Sequence, residues 1–179
     1  MEKIKLKLKG VAEIVGSDDV ALLTLTDELE MKQLSVVCDR TMARQLNMRL
    51  ADTPVKGILL PEVLCGLMDD MNRQHYELLI NGLVDGQYKA VLVNKQTLAL
   101  TPIRVSDGVL LALVAGLDIF ILVSLMRRQS VDYQNGAQGI SIPVNTLSMD
   151  MLEKALSNAI SEENYELASQ LRDEMKRRK

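Results

Sequence analysis

Ile103-Arg104-Val105-Ser106-Asp107-Gly108-Val109-Leu110-Leu111-Ala112-Leu113-Val114-Ala115-Gly116-Leu117-Asp118-Ile119-Phe120-Ile121 is the stretch on which the fold turns. From Val109 to Leu125 the chain is almost uniformly apolar, which invites comparison with a membrane span. The run is shorter than the roughly 20 residues that cross a bilayer, and Gly116 and Asp118 interrupt it. A buried helix followed by a buried strand accounts for it better. Ser106 stands as the N-cap, the helix continues through Ala115, Gly116 ends it, and Ile119 to Val123 forms a strand.

Upstream, the spacing predicts a sheet. Ile4, Leu6 and Leu8 alternate with Lys3, Lys5, Lys7 and Lys9, the period of a half-buried strand, and the lysines read as the solvated face of an edge strand. Val20 to Leu25 and Met31 to Cys38 follow as strands of a meander, separated from one another by Thr26-Asp27-Glu28 and preceded by a turn at Gly16-Ser17-Asp18-Asp19. Met42, Leu46 and Leu50 then mark a helix capped by Asp39 or Thr41. A second helix is expected from about Leu60 to Met71, with Val63, Leu64, Leu67, Met68 and Met71 as its packing face. Tyr76 to Leu83, Gln87 to Val93 and Leu98 to Ile103 complete the strands, the first two joined at Asp85-Gly86.

Residues 127–147 shift toward Gln, Ser, Asn and Gly and read as a linker. Beyond it, Leu152, Ala155, Leu156, Ala159 and Ile160 share one helical face, and Tyr165, Ala168, Leu171 and Met175 share another. The expectation is an α+β domain over 1–126, an antiparallel or mixed sheet packed with helices, followed by an α-helical hairpin over 148–179. Two short helices bury little area alone, so the hairpin is expected to associate with the main domain, a second copy or another protein.

Composition narrows the function. The 179 residues carry a net charge of −3, too little cationic excess for generic coating of phosphate backbones. Aromatics make up only 3%, which leaves no base-stacking platform for single strands. One histidine, His75, and no Cys-x-x-Cys or His-x-x-x-His spacing exclude the usual zinc ligand sets. His75 reads as an exposed connector residue, and Cys38 and Cys65 as reduced thiols. The N-terminus has no apolar core of a signal peptide, so the cytoplasm is the expected address.

Residues 103–113 with Gly116 and Ile119-Phe120-Ile121 resemble the signature helix and strand of the bifunctional nuclease domain, whose pattern is Arg-Pro-Ser-Asp-Ala, an aliphatic helix, then Pro-Ile-Phe-Val. Asp85-Gly86-Gln87-Tyr88-Lys89-Ala90-Val91-Leu92 is similar to that family's Asp-Gly-x-Phe-Tyr-Ala-x-Leu hairpin, and Leu34-Ser35-Val36-Val37 to its Leu-Pro-Ile strand. The tail, with Glu163-Asn164-Tyr165-Glu166-Leu167-Ala168-Ser169-Gln170-Leu171-Arg172-Asp173, resembles the UVR motif of UvrB and UvrC repair subunits and Clp-associated adaptors, with Ser169 in place of its second Ala.

The resemblance implies phosphodiester hydrolysis of DNA or RNA assisted by a divalent metal, Mg or Mn. Arg104 would clamp phosphate, Asp107 would be metal ligand or base, and Ser106 completes the candidate catalytic set. The same residues have a structural reading: Ser106 caps the helix, Asp107 complements its dipole, and Arg104 pairs with Asp107. Family positions that hold a Gly-x-x-Glu and a Thr-His-Asp are Asp39, Met42 and Lys56-Gly57-Ile58 here, and Lys, Gly and Ile cannot stand in for a His and a carboxylate. Asp39, Arg40 and Arg44 could join the same cleft if the strands converge. The tail implies a protein partner or self-association as a homo-oligomer, through Tyr165, Ala168, Leu171, Arg172 and Asp173. Two functions therefore stand: a nuclease with a thinned site, or a non-catalytic scaffold presenting the hairpin to a partner in DNA repair or protease regulation.

Overall fold

A computed structural model of the chain describes residues 2–13, 20–51, 57–133, 147, 149–161 and 163–177. The turn expected at Gly16-Ser17-Asp18-Asp19, position 56 and most of the expected linker lie outside the described residues. Strands β1 (Lys3–Glu13), β2 (Val20–Asp27) and β3 (Lys32–Asp39) form the antiparallel meander. Helices α1 (Arg40–Leu50) and α2 (Leu60–Leu67) precede β4 (Tyr76–Val84), β5 (Gln87–Asn94) and β6 (Leu100–Arg104). Helix α3 (Val105–Ala115) and β7 (Asp118–Leu122) come next, in the order expected.

Among the described residues eight strands make one sheet, ordered β6-β5-β4-β7-β1-β2-β3 and then β8 (Val131–Asp132). Strand β7 sits in the interior of the sheet, parallel to β4 and antiparallel to β1, which makes the sheet mixed. The β1 lysines thus belong to an interior strand and not to an edge. Their face is still solvated, with Lys3, Lys7 and Lys9 exposed, and carboxylates line it: Lys3 pairs with Glu77, Lys5 with Asp118 and Lys9 with Glu30.

The core forms where α1 and α3 cover one face of the sheet. Leu23, Leu25 and Leu34 from the meander meet Leu46, Leu78, Val109 and Ile121, all out of contact with water. Gly108 permits this approach: a Cβ there would stand 2.5 Å from Leu78 Cδ1, so the fully buried Leu78 side chain would have to repack. Gly116 ends α3 in the left-handed region at φ 66°, as its C-cap position requires.

Several details differ from the sequence reading. The N-cap of α3 is Arg104 rather than Ser106, because β6 runs straight into the helix without a connecting residue; Ser106 lies buried in the first turn. Helix α2 ends at Leu67, and its apolar residues Val63, Leu64 and Leu67, with Met68 beyond, face solvent. Its other side attaches it: the helix packs beside α3, Pro61 and Cys65 are half-buried, and Arg49 Nε and Nη2 each donate to Glu62 at 2.7 Å. His75 is half-buried, and its Nδ1 is shut from water without a hydrogen-bond partner. Cys38 and Cys65, by contrast, are free thiols as expected.

Regular structure also passes the boundary expected at 126. Helix α4 (Val123–Gln129) buries Leu125 and Met126, and β8 pairs with β3 through Lys32 opposite Asp132 and Gln33 opposite Val131. Among the described residues no helix is long and apolar enough to cross a membrane.

The tail forms the expected pair of helices, α5 (Met149–Ser161) and α6 (Tyr165–Arg177). Leu152, Ala159, Ala168 and Leu171, with Leu147, make a small core of their own. Asn164 caps α6, its Oδ1 accepting from the Leu167 amide at 3.2 Å. Tyr165 and Ile160, expected in the seam, are exposed beside the turn. Both stand where the chain reverses: Ile160 is one position past buried Ala159, and Tyr165 is three positions before buried Ala168.

Candidate functional site

Two helices start at one spot. Strand β3 ends at Asp39 and passes into α1, while β6 ends at Arg104 and passes into α3. Asp39 caps α1, its Oδ1 accepting from the Met42 amide at 2.8 Å. Arg104 reaches both helix beginnings. Its Nε donates to Asp107 Oδ2 at 2.5 Å, its Nη2 donates to Asp107 Oδ1 at 3.0 Å, and its Nη1 lies 3.6 Å from Asp39 Oδ2.

One guanidinium thus joins two carboxylates, each at the positive end of a helix. The fork to Asp107, followed by the more distant Asp39, holds Arg104 above its ordinary pKa. The guanidinium is largely exposed, so the contribution to stability is that of a surface pair.

The cluster rims a cleft of about 760 Å³ between the β3 end and the β5–β6 ribbon. Val20 and Val37 form one wall and Ile103 another, while Ser106 and Tyr88 also contribute to the lining. Tyr88 is buried, its hydroxyl has no hydrogen-bond partner, and burial pushes its phenol well above the usual range. Lys89 stands directly opposite Arg104 in the β5–β6 register and borders the same cleft.

The spacing joins Arg104 to Asp107 and leaves Asp39, Arg40 and Arg44 to depend on the strands converging; the structure brings Asp39 to Arg104, whereas Arg40 and Arg44 are not among the residues lining the cleft. Ser106 lies in the same cleft but is buried in its wall. Met42 is in the core, and Gly57 and Ile58 are exposed and are not among the residues lining the cleft. Tyr88 and Lys89 were not singled out as site residues; the hairpin that carries them is legible, but its register against Arg104 is not.

A divalent ion does not fit this arrangement. Magnesium needs several oxygens in near-octahedral array, whereas both carboxylates here already face a cation. Among the described residues no group of three or more His, Cys, Asp or Glu side chains could hold a metal.

On the hairpin, Ala168 and Leu171 point into the seam, whereas Tyr165, Arg172 and Asp173 are on the surface. A mixed-sheet α+β domain with an acid–arginine cluster at a cleft, followed by a helical hairpin, defines the class. The family described as the bifunctional nuclease domain matches residues 22–134, and the UvrB/uvrC motif matches residues 149–178. The chain belongs to the bifunctional nuclease domain family and carries a UVR motif at its C-terminal end. No curated protein matches the chain.

Proposed function

We propose that this member of the nuclease family acts chiefly as an interaction protein, with the UVR hairpin as its binding device and the β-domain as the scaffold that presents it. The observation that carries this reading is the hairpin's independent core. Five buried residues hold α5 to α6 apart from the main core, so the outer surface is available for a partner without unfolding anything. Ile160, Tyr165 and Leu167 are exposed around the turn, with Arg172 and Asp173 further along α6. An aromatic anchor with aliphatic neighbours and a rim of both charges has the make-up of a protein-binding patch. A partner from DNA repair or regulated proteolysis suits the motif.

A second reading, binding and hydrolysis of DNA or RNA at the cleft, is favoured by one specific observation. Asp39, Arg104 and Asp107 converge there, with Ser106 in the wall. Arg104 supplies a donor fork of the kind that grips phosphate. Its carboxylate partners weigh against rapid turnover: phosphate would have to displace Asp107, and the second acid, Asp39, is already engaged as the cap of α1 and by the same guanidinium.

The test compares proteins captured by the intact chain with those captured by Tyr165→Ala and by Arg172→Glu. Both positions are exposed, so both variants should keep the native circular dichroism spectrum. Loss of the same protein from both supports the interaction role; identical captured sets for all three chains refute it.

A further inference from the structure

Helix α2 is inside out. Leu60, Val63, Leu64 and Leu67 recur at the i, i+3, i+4, i+7 spacing that normally seats a helix on its core, yet all four are exposed, Leu67 by 77%. The helix has no buried residue at all. Glu62 ties its opposite side to Arg49, whose side chain is only 5% exposed. Ile58 before the helix and Met68 after it extend the same uncovered apolar surface.

The area indicates what covers it. From their fractional exposures these six side chains leave roughly 600 Å² uncovered, at the top of the range for the largest apolar patch on a monomer. That approaches the roughly 800 Å² per partner of a standard stable interface. We propose that α2 is the self-association face of the β-domain, and that a second copy of this chain packs its own α2 against it around a two-fold axis.

The helix suits a copy of itself. A two-fold perpendicular to α2 sets the pair antiparallel, with Leu64 near the axis and Leu60 of each copy beside Leu67 of the other. The acidic pair Asp69-Asp70, exposed just beyond the C-terminal end of α2, then lies near the positive N-terminal end of the partner helix. Like charges are kept apart in that arrangement. The seam lies on the β-domain, so the hairpin remains available for the interaction proposed above, and neither proposal requires the other.

Sedimentation equilibrium or light scattering on the full chain tests the dimer. The intact protein should show twice the 19.9 kDa chain mass at about 50 µM. Leu67→Glu and, separately, Leu60→Glu should weaken dimerisation at least about a hundredfold while circular dichroism stays native, because both side chains are already in water. Leu171→Asp in the hairpin should leave the dimer intact. A monomeric intact protein, a dimer indifferent to both glutamates, or a dimer lost only in Leu171→Asp would each overturn the proposal.

Discussion

Replacing Glu62 with Ala should destabilise the β-domain far more than its place on an exposed helix suggests. Glu62 receives both arms of the Arg49 fork at 2.7 Å, and the two side chains are only 16% and 5% exposed. Removing one partner of a fully buried ion pair costs about 3–5 kcal/mol, because the other charge is left stranded. Here the cost is reduced, since Arg49 Nη1 still donates to Gln45 O and Oε1, both at 2.8 Å. About 2–3 kcal/mol is expected. At roughly 2–4 °C per kcal/mol for a domain of this size, the midpoint should fall by about 4–12 °C. Thermal and urea unfolding of Glu62→Ala, Arg49→Ala and the double variant would give the coupling energy, expected at about 1–2 kcal/mol. A loss below about 0.5 kcal/mol for Glu62→Ala with no coupling would show that the pair behaves as a surface contact. Its anchoring of the polar side of α2 would then be refuted.

Gly108→Ala should cost about 1–3 kcal/mol in urea unfolding despite the better helix propensity of Ala, since its Cβ would meet Leu78 Cδ1 in the core; an equally stable variant would refute the close approach. Lys5 holds Asp118 below its ordinary pKa of 3.8, so this pair stabilises the fold above that value and ceases to do so as the pH falls through the lowered one. Asp118→Asn should therefore lower the melting midpoint at pH 7, with the deficit shrinking as the pH is taken progressively below 3.8; a deficit that does not shrink would contradict the linkage. Burial pushes the Cys38 thiol up to about 11 and raises the half-buried Cys65 as well. Iodoacetamide at pH 8 should therefore modify Cys65 well before Cys38, and equal rates would contradict the burial assigned to Cys38.

Local chemistry was legible where it acts over a few residues. Alternation in Ile4, Leu6 and Leu8 marked a strand, and Asp39 before Met42 and Leu46 marked a capped helix, because each feature needs only its neighbours. Periodicity does not say which side of a helix meets the core. The apolar stripe of α2 is real, but the Arg49–Glu62 pair turns it outward. The edge position expected for β1 failed for a related reason: β7, distant in sequence, inserts beside it. Strand β8 is only two residues long and carries no periodic signal. At the cleft, Arg104 and Asp107 are three residues apart and could be paired on paper, whereas Asp39 joins them through the curl of the whole sheet.

The most direct test of the account is a nuclease assay on the purified full chain. Single- and double-stranded DNA and RNA would be incubated with Mg or Mn, beside Asp107→Ala and Arg104→Ala controls. With Asp39 and Asp107 both engaged by Arg104, cleavage should be no faster in the intact protein than in either variant. Metal-dependent cleavage that is robust in the intact chain and disappears in Asp107→Ala would contradict the account and make the cleft a working hydrolytic centre.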